Sequence, residues 1–219
     1  MSTVSPERLL LPGAAGLIET LVESPQPAPR AVAVCCHPHP LFGGTMTNKV
    51  IHTVARSFVA SNAITIRFNF RGVGLSEGTH AGGDGETEDV IGLATWARER
   101  WPGLPLWLAG FSFGAWVALR AQPILQPSLL VTVAPPVGRW DFSKLEAPRC
   151  PWLVVQGSKD ELVDATAVEG WLFSLKGRSV VPPQMFLLPE ADHFFHARLH
   201  GVRDAVTRFV TDYADGRSE

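Results

Sequence analysis

Cysteine is scarce in this chain, net charge is nearly absent and no apolar run is long, and each shortage excludes something. Three cysteines occur in 219 residues: Cys35 and Cys36 side by side, and Cys150 far away. An odd count with two adjacent members is no disulfide framework, and no pair has metal-ligand spacing. These thiols are expected as small buried hydrophobes. The 19 Lys and Arg against 21 Asp and Glu leave a formal charge of −2. That is no footprint for nucleic acid or for an anionic membrane surface, so neither is an expected partner. No segment is long and apolar enough to span a bilayer. The opening "RLLLPGAAGLI" imitates a signal-peptide core only briefly, because Pro12-Gly13 breaks it and Glu19 and Glu23 follow. The expected compartment is the cytoplasm.

What the chain does have is ordinary globular composition, 46% hydrophobic and 18% charged, in a length that suits one domain over residues 1–219. Two strand-like pieces, "RLLL" and "GLIETLVE", flank a glycine-rich turn and are expected to pair antiparallel at a sheet edge. After the Pro-rich "SPQPAPR", short apolar runs alternate with amphipathic segments. Strands are predicted at 31–36, 63–70 and 104–110, in "SLLVTVAP" and "PWLVVQG", and in "QMFLLP". Helices are predicted at 47–60, 86–100 and 113–122, over "ELVDATAVEGWLFSLK" (161–176), and over "HARLHGVRDAVTRFVTDYA" (196–214). Strands that are apolar throughout, separated by helices, indicate an α/β fold with a mostly parallel sheet covered on both faces.

Within this alternation Gly110-Phe111-Ser112-Phe113-Gly114 falls between a predicted strand and a predicted helix. An unpaired buried hydroxyl is costly, so Ser112 is either a satisfied core group or a nucleophile. Small residues on both sides are what a sharp strand-to-helix turn demands, and the helix N-terminus is a ready site for developing oxyanion charge. On these residues the chain resembles the α/β-hydrolase superfamily, over nearly its whole length. It looks closest to small dienelactone-hydrolase-like and carboxylesterase-like members without a lid domain. Only 136–150 separates two successive strands where many relatives insert a lid, so an open, shallow site is expected.

The resemblance implies an acid and then a histidine downstream of the serine. Asp160 lies just past the end of "PWLVVQG" in a Gly157-x-x-Asp160-x-x-Val163 pattern; its bland alternative is a helix N-cap. Glu161 and Asp164 are assigned to the following helix. His193, in Asp192-His193-Phe194 after the last strand, is the histidine that the resemblance implies, able to take the serine proton and return it. His196 and His200 compete with it. The three histidines could also share a helix face, but no zincin-type glutamate accompanies them, and neither a metal nor any other cofactor is expected.

The loop "CCHPHPLFGG" must supply one oxyanion N–H, the other coming from Phe113. Pro38 and Pro40 have none, which leaves His39 and Leu41; resemblance to the dienelactone-hydrolase loop favours Leu41. His37 and His39 are read as loop-positioning residues, Asn48 as a cap or brace, and Arg71 as a brace for backbone carbonyls. The "RGVGLSEG" glycines match neither a Rossmann fingerprint nor a P-loop. Phe42, Phe111, Trp140 and Phe194 are candidate substrate contacts, with Phe113 and Phe195 nearby.

The implied activity is hydrolysis of a small, short-acyl or aromatic carboxylic ester through an acyl-enzyme on Ser112. Serine in place of the dienelactone hydrolases' cysteine argues against dienelactone activity. Thioester or peptide hydrolysis with the same three residues, and a non-catalytic binding protein on the same fold, are the alternatives. The residues leave the oligomeric state open.

Overall fold

The computed structural model describes residues 6–175, 177, 180–214 and 216. Eight strands form one sheet: β1 (Glu7–Gly13), β2 (Gly16–Glu23), β3 (Ala31–Cys36), β4 (Ala63–Phe68), β5 (Leu106–Phe111), β6 (Leu129–Val133), β7 (Trp152–Gly157) and β8 (Gln184–Leu188). Their spatial order is β1-β2-β4-β3-β5-β6-β7-β8. The first two strands pair antiparallel with each other, and β2 antiparallel with β4; every other pairing is parallel. Each parallel step needs a crossover; α1 (Lys49–Ala60), α2 (Asp84–Arg100), α3 (Phe113–Leu125) and α4 (Ala165–Ser174) supply four, and the helix-free segment 134–151 joins β6 to β7. The last helix is α5 (Leu199–Ala214).

The strand sequences explain why both faces are covered. In β3, "AVAVCC", all six residues are buried; Val32, Val34 and Cys36 face the core under α2, α3 and α4. Ala31, Ala33 and Cys35 face a second core under α1 and α5. All three cysteines are buried and unbonded to one another, and burial pushes the Cys35 thiol up to about 12. None of the helices among the described residues is long and apolar enough to cross a membrane.

Several helix ends differ from the periodicity. Asn48 caps α1 through its side chain, accepting from Val50 and Ile51 N–H, so that helix starts at Lys49 rather than 47. The second helix starts at Asp84, two residues early, because Glu86 folds back onto the N–H groups of Ala81 and Gly83. The predicted 161–176 helix starts only at Ala165, with Asp164 as its N-cap; its predicted end at Lys176 lies outside the described residues, as do both ends of the 1–219 domain. The final helix starts at Leu199 rather than His196, whose N–H is taken by Asp192 Oδ1 at 2.9 Å. Arg71 braces carboxylates, not carbonyls: its guanidinium reaches both Asp89 oxygens at 2.8–3.1 Å and Glu88 at 3.2 Å. It thereby ties the glycine loop to α2.

β3 and β5 are neighbours, but the crossovers that follow β3 and precede β5 pass over opposite faces. The crevice at the carboxyl ends of such a strand pair is where open α/β sheets build their sites.

Candidate active site

Ser112 sits at the sharp turn joining β5 to α3, with φ 52° and ψ −120°. A positive φ is strained for any residue but glycine, and here it turns the serine out of the strand at the helix N-terminus. The turn closes only because its flanks are bare. A Cβ on Gly110 would run into Gly114 O and come within 2.5 Å of Ala115 N, and one on Gly114 would come within 2.5 Å of His37 O. The first turn of α3 therefore lies directly against the end of β3 and the loop after it.

Two later strand ends bring the partners. His193 Nε2 lies 3.1 Å from Ser112 Oγ, and His193 Nδ1 lies 2.8 Å from Asp160 Oδ2. Asp160 is held by its own loop: Oδ1 accepts the N–H groups of Leu162 at 2.9 Å and Val163 at 2.8 Å. These bonds resemble a cap but precede the helix, so Asp160 is not the N-cap. The Asp160 side chain is fully buried and that of His193 nearly so, whereas Ser112 is half-exposed. His193 rests on the ring of Phe111, 5.3 Å between centroids, and its N–H donates to Glu161 Oε2 at 3.2 Å. Phe195, wholly buried with φ 55°, pins the same loop into the core.

His196 is drawn to Asp192 at 2.7 Å and is exposed, and His200 lies on α5. The three histidines thus do not share a helix face. Among the described residues no group of three or more His, Cys, Asp or Glu is placed to hold a metal.

The β3 loop gives a correction. Leu41 N–H donates to His39 Nδ1 at 3.2 Å inside the short 3₁₀ turn Pro40–Phe42, and Leu41 is 69% exposed. Its N–H is thus committed to its own turn. The His39 N–H has no acceptor among the described residues, and the His39 ring lies 4.7 Å from that of Phe113. Of the two N–H groups, His39's is the one not consumed within the loop. His37 is structural. Its Nδ1–H donates to Pro38 O at 2.6 Å and its Nε2 accepts from Phe70 N–H at 3.0 Å. The bond from Phe70 demands a neutral ring, and burial, outweighing the Pro38 bond, lowers its pKa to about 4. His39 is also lowered, first by burial and then by the nearby His80.

The aromatic candidates separate. Phe42 is 86% exposed beside His39, and Phe194 is 42% exposed, edge-on to His193 at 5.1 Å. Trp140 is half-buried, stacked on Trp116 at 4.7 Å and 5.6 Å from His39. These three can wall a substrate. Phe111 has no exposed surface, so it supports His193 from below and is withdrawn as a substrate contact; Phe113 is equally buried. His80, absent from the sequence-based candidates, joins this wall. Its ring is 5.0 Å from His39, and its Nδ1 lies 2.8 Å from Glu86 Oε1 without hydrogen-bond alignment. Between β6 and β7 no helix covers the opening.

Sheet order, elbow and strand-end loops define the class: an α/β-hydrolase superfamily member. Residues 27–145, over half of the chain, match the model of the serine aminopeptidase S33 family, and the chain belongs to that family. A lidless α/β serine hydrolase from Xanthomonas campestris, XC6422, is 41% identical with a TM-score of 0.90, covering 97% of each chain. An α/β serine hydrolase homologue from Coxiella burnetii is 37% identical (TM-score 0.87), covering 95% of this chain and 99% of its own. The uncharacterized protein RP471 of Rickettsia prowazekii is 32% identical over 186 residues, 82% of this chain and 78% of that one.

Proposed function

We propose that the chain hydrolyses small carboxylic esters through an acyl-enzyme on Ser112. The observation that carries this is the continuous path Ser112 Oγ–His193 Nε2, 3.1 Å, and His193 Nδ1–Asp160 Oδ2, 2.8 Å. In the first step Oγ attacks the carbonyl carbon and its proton passes to Nε2. The tetrahedral oxyanion is taken by the N–H groups of Phe113 and His39. As the intermediate collapses, the C–O bond breaks and the alcohol leaves with the proton from Nε2. Water then repeats the sequence, giving up a proton to Nε2 and releasing the acid and free Ser112. Asp160 keeps Nδ1–H directed away from the serine and stabilises the imidazolium. A shallow opening walled by Phe42, Trp140 and Phe194 suits a short-acyl or aromatic ester.

The family description makes aminopeptidase activity the second reading. An aminopeptidase needs a carboxylate free to receive the substrate's α-ammonium. Asp160 is spent on His193 and its own loop, and Glu86, fully buried, on Ala81 and Gly83, while exposed Glu161 gives Oε2 to the His193 N–H and keeps Oε1. So thin a provision for an ammonium favours the ester. Turnover of p-nitrophenyl acetate and butyrate is expected, at least ~10³-fold reduced in Ser112→Ala, with aminoacyl p-nitroanilides poor. Anilide turnover above ester turnover would make it a peptidase, and full ester turnover by Ser112→Ala would end the proposal.

A further inference from the structure

Behind Asp160 stands a residue that the reaction steps above do not use. Gln156 is the fifth residue of β7 and is fully buried. Its Nε2 donates to Asp160 Oδ2 at 2.9 Å and to Val163 O at 3.2 Å, with Gly157 O at 3.5 Å. Its Oε1 is buried and has no partner among the described residues. The neighbours set this orientation, since a flipped amide would press its oxygen against a carboxylate and a carbonyl. A buried amide with an unpaired oxygen is a poor choice for stability, and Met or Leu would fill the space without that penalty. Its donor end is what the site uses.

The donor is aimed with some economy. Oδ2 of Asp160 is the same oxygen that accepts from His193 Nδ1, while Oδ1 is occupied by the N–H groups of Leu162 and Val163. Gln156 thus grips the Asp160–Val163 turn at both ends, through the Asp160 carboxylate and through Val163 O. The other charged groups nearby act elsewhere. Glu161 accepts from the His193 N–H, Asp192 pairs with His196, and Arg139 donates to Leu162 O. Lys159 is the neighbour in sequence. Among the described residues none of these bonds the Asp160 carboxylate.

We infer that Gln156 is a positioning residue: its Nε2–H holds Asp160 in the one orientation that meets His193 Nδ1, and it shares the charge that the carboxylate presents to the imidazole. The inference rests on the reading of Ser112, His193 and Asp160 as a triad.

The test measures kcat, KM and thermal stability for Gln156→Met, Gln156→Glu and Asp160→Asn on p-nitrophenyl acetate between pH 5 and 10. Without the donor, Asp160 is freer to turn and its charge is less shared, so the imidazolium is held more strongly. Gln156→Met should therefore lose kcat about tenfold at unchanged KM, and the acid limb of its profile should move up by about half a pH unit. Its melting temperature should change little, because losing the unpaired oxygen offsets losing the donor to Val163 O. Gln156→Glu donates only while its new carboxyl is protonated, so it should gain an alkaline limb that the native protein lacks. A native profile in Gln156→Met, or a loss uniform across pH with a lower melting temperature, would overturn the inference. If Gln156→Met does not fold, Gln156→Glu decides: an alkaline limb supports the role and a native profile overturns it. Full activity in Asp160→Asn would instead mean that the triad reading itself had failed.

Discussion

Substituting Gly114 by alanine is the sharpest probe of how the elbow is built. The added methyl carbon would come within 2.5 Å of His37 O and 2.6 Å of Cys36 C, and closer still to Cys36 O. Carbon–oxygen contacts are normally about 3.3–3.6 Å, so about 1 Å of separation must be found. Every obstructing atom is backbone, at the end of the fully buried β3, and no side chain can swing aside. Overpacking of this kind costs about 1–3 kcal/mol. The better helix propensity of alanine returns about 1 kcal/mol, leaving a net loss of about 0–2 kcal/mol. In a chain of this length the upper figure lowers the melting temperature by about 4–8 °C. The greater damage is to geometry. The methyl would push apart the two segments carrying the Phe113 and His39 N–H groups, and about 1 Å of misplacement can cost about 10² in rate. Gly92→Ala on α2, with open space around it, is the control and should gain about 0.5–1 kcal/mol. Thermal unfolding and ester turnover measured side by side decide the matter. A Gly114→Ala protein with native kcat would refute the reasoning, whatever its melting temperature.

Two further perturbations follow from the same structure. His37 is held neutral with its pKa lowered to about 4 from 6.5, so between those values the unfolded chain binds a proton that the native chain refuses. Stability is fully present above pH 6.5 and is lost as the pH falls toward 4, by about 3 kcal/mol from this group; an imidazolium signal for His37 at pH 5.5 in the folded protein, followed by NMR, would contradict it. Trp140→Ala removes a stacked wall of the opening, so kcat/KM should fall about 2–10-fold for p-nitrophenyl benzoate and little for the acetate; equal losses on both esters would remove Trp140 from the substrate wall.

The alternation of "AVAVCC", "LPLWLAG" and "PWLVVQG" with amphipathic segments was enough to read a parallel sheet, because strands buried on both faces have nowhere to hide polar residues. The elbow was legible for a related reason, since only glycines let α3 approach β3. What escaped depended on side chains bending back on the backbone. The acidic stretch after Lys159 reads as a helix start, yet Asp160 spends its carboxylate on Leu162 and Val163 and delays α4 to Ala165. Leu41 and His39 are equivalent until the 3₁₀ turn consumes one N–H and leaves the other. Phe111 and Phe113 bracket the serine alike in sequence, and the backbone turns both rings inward. For Gln156 a signal was present: a polar side chain inside an otherwise apolar buried strand always needs a reason.

The central claim, that Ser112 is a nucleophile activated by His193, is tested most directly by a fluorophosphonate probe with peptide-level mass spectrometry. One stoichiometric adduct on Ser112 is predicted, formed at least ~10²-fold more slowly in His193→Ala and absent in Ser112→Ala. A native protein left unlabelled, or labelled at another residue, would contradict the account.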